Sequence, residues 1–327
     1  MTDPTPAATP ATGNPAVDDL VQPFQIETSH LRGRMVRLGA TLDEILQRHA
    51  YPDAVAAMLG ETMTLAVLLS SMLKYEGIFT LQTKGDGPIS LMVADITSVG
   101  DIRAYAQFNE AAVAAAAKDV PIAPAPALLG KGYIAFTVDQ GPHTERYQGI
   151  VELSGKTLAD CVQHYFRQSE QLDTGLTVQV GRTDEGHWRA GGIMLQRLPE
   201  QQPQMDGTAP QLSSDAEDGW RRAMVLMAST TTDELLATDL RANDLLFRLF
   251  HEDGVRVWPP SHLRFGCRCS RERVVTMLSS LPRAEVETMK VDGTDEVEVV
   301  CQFCSTAYRF DESELDRVYG TKGDPQP

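Results

Sequence analysis

Five cysteines occur in the 327-residue chain, and four of them fall into two close pairs, Cys267 with Cys269 and Cys301 with Cys304. Thiolate is the soft ligand that zinc prefers, and four thiolates close a tetrahedral shell with Zn–S near ~2.3 Å. A CxxC pair on a strand–turn knuckle aims two sulfurs at one ion. In the CxC pair, residues two apart on an extended chain project to the same side, so both sulfurs reach one metal. The 31 residues between Cys269 and Cys301 supply the helices that bring the pairs together. The pattern points to one Zn2+ held by Cys267, Cys269, Cys301 and Cys304. Closed four-ligand shells of this kind are usually structural and keep no open position for catalysis.

The same sulfurs admit a second chemistry. A disulfide between residues two apart needs compressed geometry, and strain makes it more reducible. CxxC also pairs easily. The four thiols can therefore exist as one zinc site or as two local disulfides. Oxidation would expel the metal together with the free energy that folds so small a unit, on the order of 10–16 kcal/mol in comparable sites. Arg264, Arg268, Arg271 and Arg273 flank the first pair and can offset the negative charge of a four-thiolate zinc centre. On spacing alone, a structural site and a redox switch both stand. Cys161 lies on the apolar face of a predicted helix and reads as a buried core thiol. His262, five residues before Cys267, is not needed once four sulfurs are in place.

Elements that can position these residues follow from capping and periodicity. In the C-terminal part, Ser270 caps a helix through Val274 and Leu278, Glu296 to Val300 alternates as a strand, Cys301-Gln302-Phe303-Cys304 makes the knuckle, and Ala307 to Phe310 returns. Asp311 and Glu314 suggest a last capped helix. Upstream, Thr41 and Glu44 have capping-box spacing, and Pro52 opens a longer helix ending near Tyr75. Strands are expected at Ile78–Thr83, Ile89–Ile96, Asp101–Phe108, Tyr133–Val138, Tyr147–Leu153, Leu176–Val180 and Gly192–Leu198, with a Thr157-capped helix between the fifth and sixth. Strands in adjacent groups favour α+β over a doubly wound sheet. An Ala/Pro-rich stretch at 111–127 reads as an insertion. Residues 216–250 are helical, with Trp220, Met224 and Met227 on one stripe and a second helix capped by Thr232. This segment is too small for a core of its own and must pack on a neighbour, which makes it a candidate for a conditionally stable element.

The expected organisation is a disordered arm (1–20), an α+β core domain (21–200), a loop and metastable helical linker (201–257), a zinc-binding domain (258–320) and a tail (321–327). The formal charge of −16 opposes nucleic-acid binding. Residues 1–20 show no secretory signal, and the longest apolar stretch, near Leu65–Leu73, is short for a membrane span. A cytosolic protein is expected, with neither nucleic acid nor membrane as partner.

The run Phe265-Gly266-Cys267-Arg268-Cys269-Ser270-Arg271-Glu272-Arg273, with Cys301-Gln302-Phe303-Cys304 downstream, resembles the 33-kDa heat-shock protein family of redox-regulated chaperones. Gly85-Asp86-Gly87-Pro88, Glu145-Arg146-Tyr147-Gln148-Gly149, Tyr165-Phe166, Ser169-Glu170-Gln171-Leu172 and Ala190-Gly191-Gly192 agree in order. The resemblance implies a bacterial cytoplasmic, ATP-independent holdase and not an enzyme, with no catalytic residue. It implies one Zn2+ per chain in an inactive reduced form. It also implies Cys267–Cys269 and Cys301–Cys304 disulfides when oxidised, homodimerisation, and binding of unfolding or oxidatively damaged clients. Two other readings carry different expectations. A thiol–disulfide oxidoreductase using Cys301 and Cys304 needs a βαβ context that is absent around CxxC. A structural zinc-ribbon module for nucleic acid has the charge against it.

Overall fold

The computed structural model describes residues 18–118, 124–141, 144, 147–197, 214–291 and 293–320. Most of the expected arm, the middle of the Ala/Pro-rich stretch, nearly all of the 201–215 loop and the tail lie outside these residues. The chain divides between Phe265 and Gly266 into two compact units.

In the first unit, β1 (Leu20–Ile26) and β2 (Leu31–Leu38) form a hairpin, followed by α1 (Ala40–Gln47) and α2 (Asp53–Ser71). Next come β3 (Ile78–Gly85), β4 (Ile89–Thr97), β5 (Asp101–Phe108), the short helices α3 (Glu110–Ala116) and α4 (Ala125–Leu129), β6 (Gly132–Asp139) and β7 (Tyr147–Glu152). Then α5 (Leu158–Gln168), β8 (Thr174–Arg182) and β9 (Trp188–Arg197) complete the segment before 198. After it lie α6 (Ser214–Ala228), α7 (Thr232–Leu236), α8 (Ala242–Phe250) and three short strands, β10 (Val255–Val257), β11 (Ser261–His262) and β12 (Arg264–Phe265). One sheet has the order β10-β1-β2-β9-β8, with β11 also on β1; the other has β12-β5-β4-β3-β6-β7. Pairing is antiparallel except β12 on β5. This is an α+β arrangement, as the grouped strands suggested.

The long helix α2 packs on strands of both sheets. A helix apolar all round must be covered all round. α2 is also long and apolar enough to cross a membrane by length and composition, but most of it is buried within the protein. Its carboxylate Glu61 meets the start of α5, where Oε1 accepts from the amides of Leu158 (3.1 Å) and Ala159 (3.3 Å). Burial pushes this carboxyl up to about 7, against the pull of the two amides. A raised acid destabilises the fold once it must ionise. Its favourable share is whole below the ordinary carboxylate range and is lost as pH rises through about 7. Glu61→Gln keeps the acceptor and removes the charge. The variant is expected to gain roughly 3 kcal/mol over wild type at pH 8 and almost nothing near pH 4.5, read by urea unfolding at the two pH values. An equal gain at both would show that ionisation is not the cause.

Several local expectations shift for tertiary reasons. The capping box placed on Thr41 and Glu44 does not form: Gly39 is the N-cap of α1, and the Asp19 carboxylate accepts from the amides of Gly39 (3.0 Å) and Thr41 (3.1 Å). Leu20, the last residue assigned to the arm, begins β1 and is buried. The β1–β2 hairpin was not expected, since Pro23 interrupts its strand pattern. Gly33 opposite Phe24 explains its packing, because a Cβ there would lie 2.1 Å from the Phe24 ring. Within residues 258–265, assigned by the sequence to the zinc domain, Ser261–His262 pair instead with β1 and Arg264–Phe265 with β5. The cap placed on Thr232 belongs to Thr231, boxed with Glu234, and the single helix expected after it breaks into α7 and α8.

The segment α6–α8 does pack on a neighbour. Its Met227, Leu235, Leu246 and Phe250 form a second core with Phe24, Leu31, Met35 and Ile193 on the sheet face opposite α2. Gly191 on β9 allows the close approach of α7, because a Cβ there would lie 2.6 Å from the Leu235 carbonyl oxygen.

The second unit holds α9 (Arg271–Leu278), α10 (Arg283–Glu287), β13 (Val297–Val300), β14 (Ala307–Phe310) and α11 (Glu312–Gly320). Ser270 caps α9, accepting from the Arg273 amide at 3.3 Å, and Asp311 with Glu314 forms the box that starts α11. Its core is small, centred on Val274, Leu278, Val286, Val297, Phe310 and Leu315.

Candidate metal centre

Two local structures aim the four cysteines. Cys267 and Cys269 lie on the extended stretch before α9, which ends where Ser270 caps the helix. Cys301 and Cys304 lie in the turn of the β13–β14 hairpin, whose last pair is Val300 with Ala307. The turn is closed by the Cys301 amide donating to Thr306 O (2.9 Å) and the Ser305 amide donating to Cys301 O (2.9 Å), with Ser305 in the left-handed region at φ 57°. The CxxC thus sits on an antiparallel knuckle and not in a βαβ unit.

All four sulfurs lie within 4.8 Å of one another. Cys267 and Cys269 are 3.4 Å apart, Cys267 and Cys301 3.7 Å, and Cys269 and Cys304 3.3 Å. A tetrahedral ion with Zn–S near ~2.3 Å requires sulfur–sulfur edges near ~3.8 Å. The spacing is thus close to that of a coordination shell and far from the ~2.05 Å of a disulfide. All five cysteines are free thiols. The donor set and its spacing fit a four-thiolate ion. Among the described residues, no other group of three or more His, Cys, Asp or Glu comes together in this way.

Hydrogen bonds differentiate the sulfurs. Tyr308 Oη donates to Cys269 Sγ at 3.1 Å, and Thr306 Oγ1 lies 3.2 Å from Cys304 Sγ. Burial pushes the Cys269 thiol up to about 12 despite the Tyr308 hydroxyl, and burial also raises Cys301. At Cys304 burial acts in the same direction, but the Thr306 hydroxyl and amide and the neighbouring thiols outweigh it and bring the thiol down to about 7. Cys304 is therefore readier to ionise than Cys269 or Cys301, which a bound cation would deprotonate.

Thr306 and Tyr308 are partners that the sequence reading missed. Their only signal is position: Thr306 immediately precedes β14, and Tyr308 lies two residues further on, within it. Three of the four arginines expected to balance the sulfur charge engage other groups. Arg264 pairs with Asp101 (2.7 Å), Arg271 with Glu314 (2.7 Å) over the Phe310 ring, and Arg273 donates to the Arg268 carbonyl (2.6 Å). Their long side chains reach acceptors already present in the fold, while two hydroxyls and backbone amides serve the sulfurs. Cys161 lies in the core of the first unit, where the Gly155 amide donates to its sulfur at 3.2 Å and burial raises its thiol. His262 is on β11, paired with β1.

A fold of two antiparallel sheets around one apolar helix, together with a four-cysteine hairpin unit, can be compared with known proteins as a whole. The family model described as Hsp33 protein matches residues 19–311. The chain is 41% identical over 305 residues to the 33 kDa chaperonin of Caulobacter vibrioides, covering 92% of this chain and 97% of the relative. It is 36% identical over 310 residues to that of Azotobacter vinelandii, covering 94% and 97%. The crystal structure of the 33 kDa chaperonin of Thermotoga maritima superposes with a TM-score of 0.73 over 93% of this chain and 99% of that one, at 24% identity, a likeness of fold. The chain belongs to the Hsp33 family.

Proposed function

We propose that this chain is a redox-regulated, ATP-independent holdase chaperone that works in the bacterial cytoplasm. The observation that carries the reading is the set of four free thiols at near-coordination spacing, built from one CxC and one CxxC in a unit with a small apolar core. In the reduced form Cys267, Cys269, Cys301 and Cys304 hold one Zn2+, which ties the segment before α9 to the β13–β14 knuckle. The protein is then inactive towards clients.

Peroxide or a comparable two-electron oxidant converts Cys267 and Cys269 to one disulfide and Cys301 and Cys304 to another. Each step takes two electrons from two thiolates; the peroxide accepts them, with two protons from solvent, and leaves as two waters. Four ligands are lost together, and the unit loses the free energy that metal binding contributed. The loss passes along a continuous chain, since Cys267 follows β12 by two residues and β10 begins five residues after α8 ends. Release of α6–α8 then bares the apolar sheet face around Phe24, Met35 and Ile193, and surface of this kind takes up unfolding or oxidatively damaged polypeptides. The oxidised form dimerises, and the formal charge of −16 keeps its complexes soluble.

The test is peroxide with mild heating of the reduced, zinc-loaded chain, following released zinc, free thiols and light scattering of a denatured client. Loss of one zinc with the four clustered thiols, accompanied by suppressed aggregation, is expected. Full suppression by the reduced zinc form, or loss of those thiols with the zinc retained, would sink the reading.

A further inference from the structure

The sheet face covered by α6–α8 carries two buried arginines that the cysteine chemistry does not use. Arg37 on β2 is 0% exposed and Arg189 on β9 is 6% exposed. Taking a guanidinium out of water is costly unless its donors find acceptors. Here the acceptors are backbone carbonyls at the end of α7 and in the connector to α8. Arg37 Nη2 donates to Glu234 O (2.7 Å), and its Nη1 donates to Ala237 O (2.9 Å) and to Leu240 O. Arg189 Nε donates to Leu236 O (2.7 Å) and its Nη2 to Ala237 O (3.1 Å), while the guanidinium also grips the buried carboxylate of Asp18, with Nη1–Oδ2 at 2.6 Å.

The geometry suits the helix end. The last carbonyls of any helix lack partners inside it and carry the negative end of its dipole. α7 is five residues long, so most of its carbonyls are of this kind. Arg37 lies opposite Gly191 in the β2–β9 ladder, and that glycine lets the α7 backbone settle on the sheet.

We propose that Arg37, Arg189 and Asp18 form a polar latch that holds the α7–α8 connector on the sheet and sets the threshold at which it lets go. The inference rests on the chaperone reading and names the regulation of its release step. The latch holds five carbonyl bonds in one register. Water replaces those carbonyls once the connector lifts, so each bond contributes only a small net stability, but bonds made and lost together bias docking and make release abrupt. No thiol takes part. The latch therefore gives unfolding stress its own input, separate from the oxidant that acts on the cysteines.

Hydrogen exchange on the reduced, zinc-loaded full chain tests this. Arg37→Met removes three of the five bonds and leaves the carbonyls of Glu234 and Leu240 without their donor, while Ala237 O keeps Arg189. Amides of α8 are expected to exchange at least ~10-fold faster than in wild type, those of α2 at the wild-type rate, and Arg37→Lys in between. Exchange in α8 within about twofold of wild type in Arg37→Met, with the fold intact, would overturn the latch. If Arg37→Met fails to fold, Arg189→Lys, which keeps the charge and loses the fork, decides by the same criterion. Aggregation suppression by the reduced variant is read alongside. Faster exchange confined to α7–α8 supports the latch even without client holding, and that absence counts against the chaperone reading alone.

Discussion

Replacing Cys304 by serine is expected to strip the chain of zinc and unfold residues 266–320 while leaving α2 and its two sheets intact. Cys304 is the most enclosed of the four cysteines, 5% exposed, and its surroundings bring its thiol down to about 7. Serine offers a neutral, hard oxygen where a soft thiolate is needed. The remaining core of the unit is small, and a domain of this size is marginal without a metal or disulfides. Loss of a four-thiolate ion removes on the order of 10–16 kcal/mol, far beyond what that core can offset. Zinc stoichiometry should fall from one per chain to near zero, and amide protection should vanish in α9 and the β13–β14 hairpin but not in α2. Retained zinc with a protected α9 would defeat the four-sulfur site. Tyr308→Phe, which removes one hydrogen bond to Cys269, should cost only about 1 kcal/mol.

The second large effect is expected at Phe250. Its ring is fully buried and stacks on Phe24, with centroids 5.9 Å apart, at the joint between α8 and the first sheet. Phe250→Ala removes about 3–5 kcal/mol of packing, and the loss falls on docking of a segment whose own secondary structure is short. The variant should hold a denatured client with all four thiols reduced and zinc bound. Light scattering of the client and binding of a dye specific for apolar surface check both halves. Undocked helices with no suppression of aggregation would show that release of α6–α8 is not what activates the protein.

Much of the candidate site was legible before any coordinates, because its constraints are local. CxC and CxxC each fix two sulfurs within a few residues, and the Ser270 cap and the hairpin around Cys301 and Cys304 are written in adjacent positions. Strands β3 to β9 were likewise visible as alternation between turns. The failures have a common cause. The start of α1 looked like a Thr41 box, but a carboxylate from Asp19, outside the helix, takes those amides. The β1–β2 hairpin was obscured by Pro23. The arginines around Cys267 suggest charge balance by proximity in sequence, yet Arg264, Arg271 and Arg273 find carboxylates and carbonyls elsewhere, while Thr306 and Tyr308 come to the sulfurs from the end of the knuckle and the return strand.

That four soft ligands could gather at one place was thus legible in sequence alone, because CxC and CxxC each fix two sulfurs within a few residues. That residues 216–250 need a neighbour also followed from their apolar face. Which neighbour, and by what grip, only the tertiary structure decided. Nothing in the sequence sets Arg37 and Arg189 apart from ordinary charged residues. Their burial depends on carbonyls 197 to 203 residues away for Arg37 and on Asp18, 171 residues before Arg189. A charge has no burial of its own; it acquires one when distant backbone arrives to replace water.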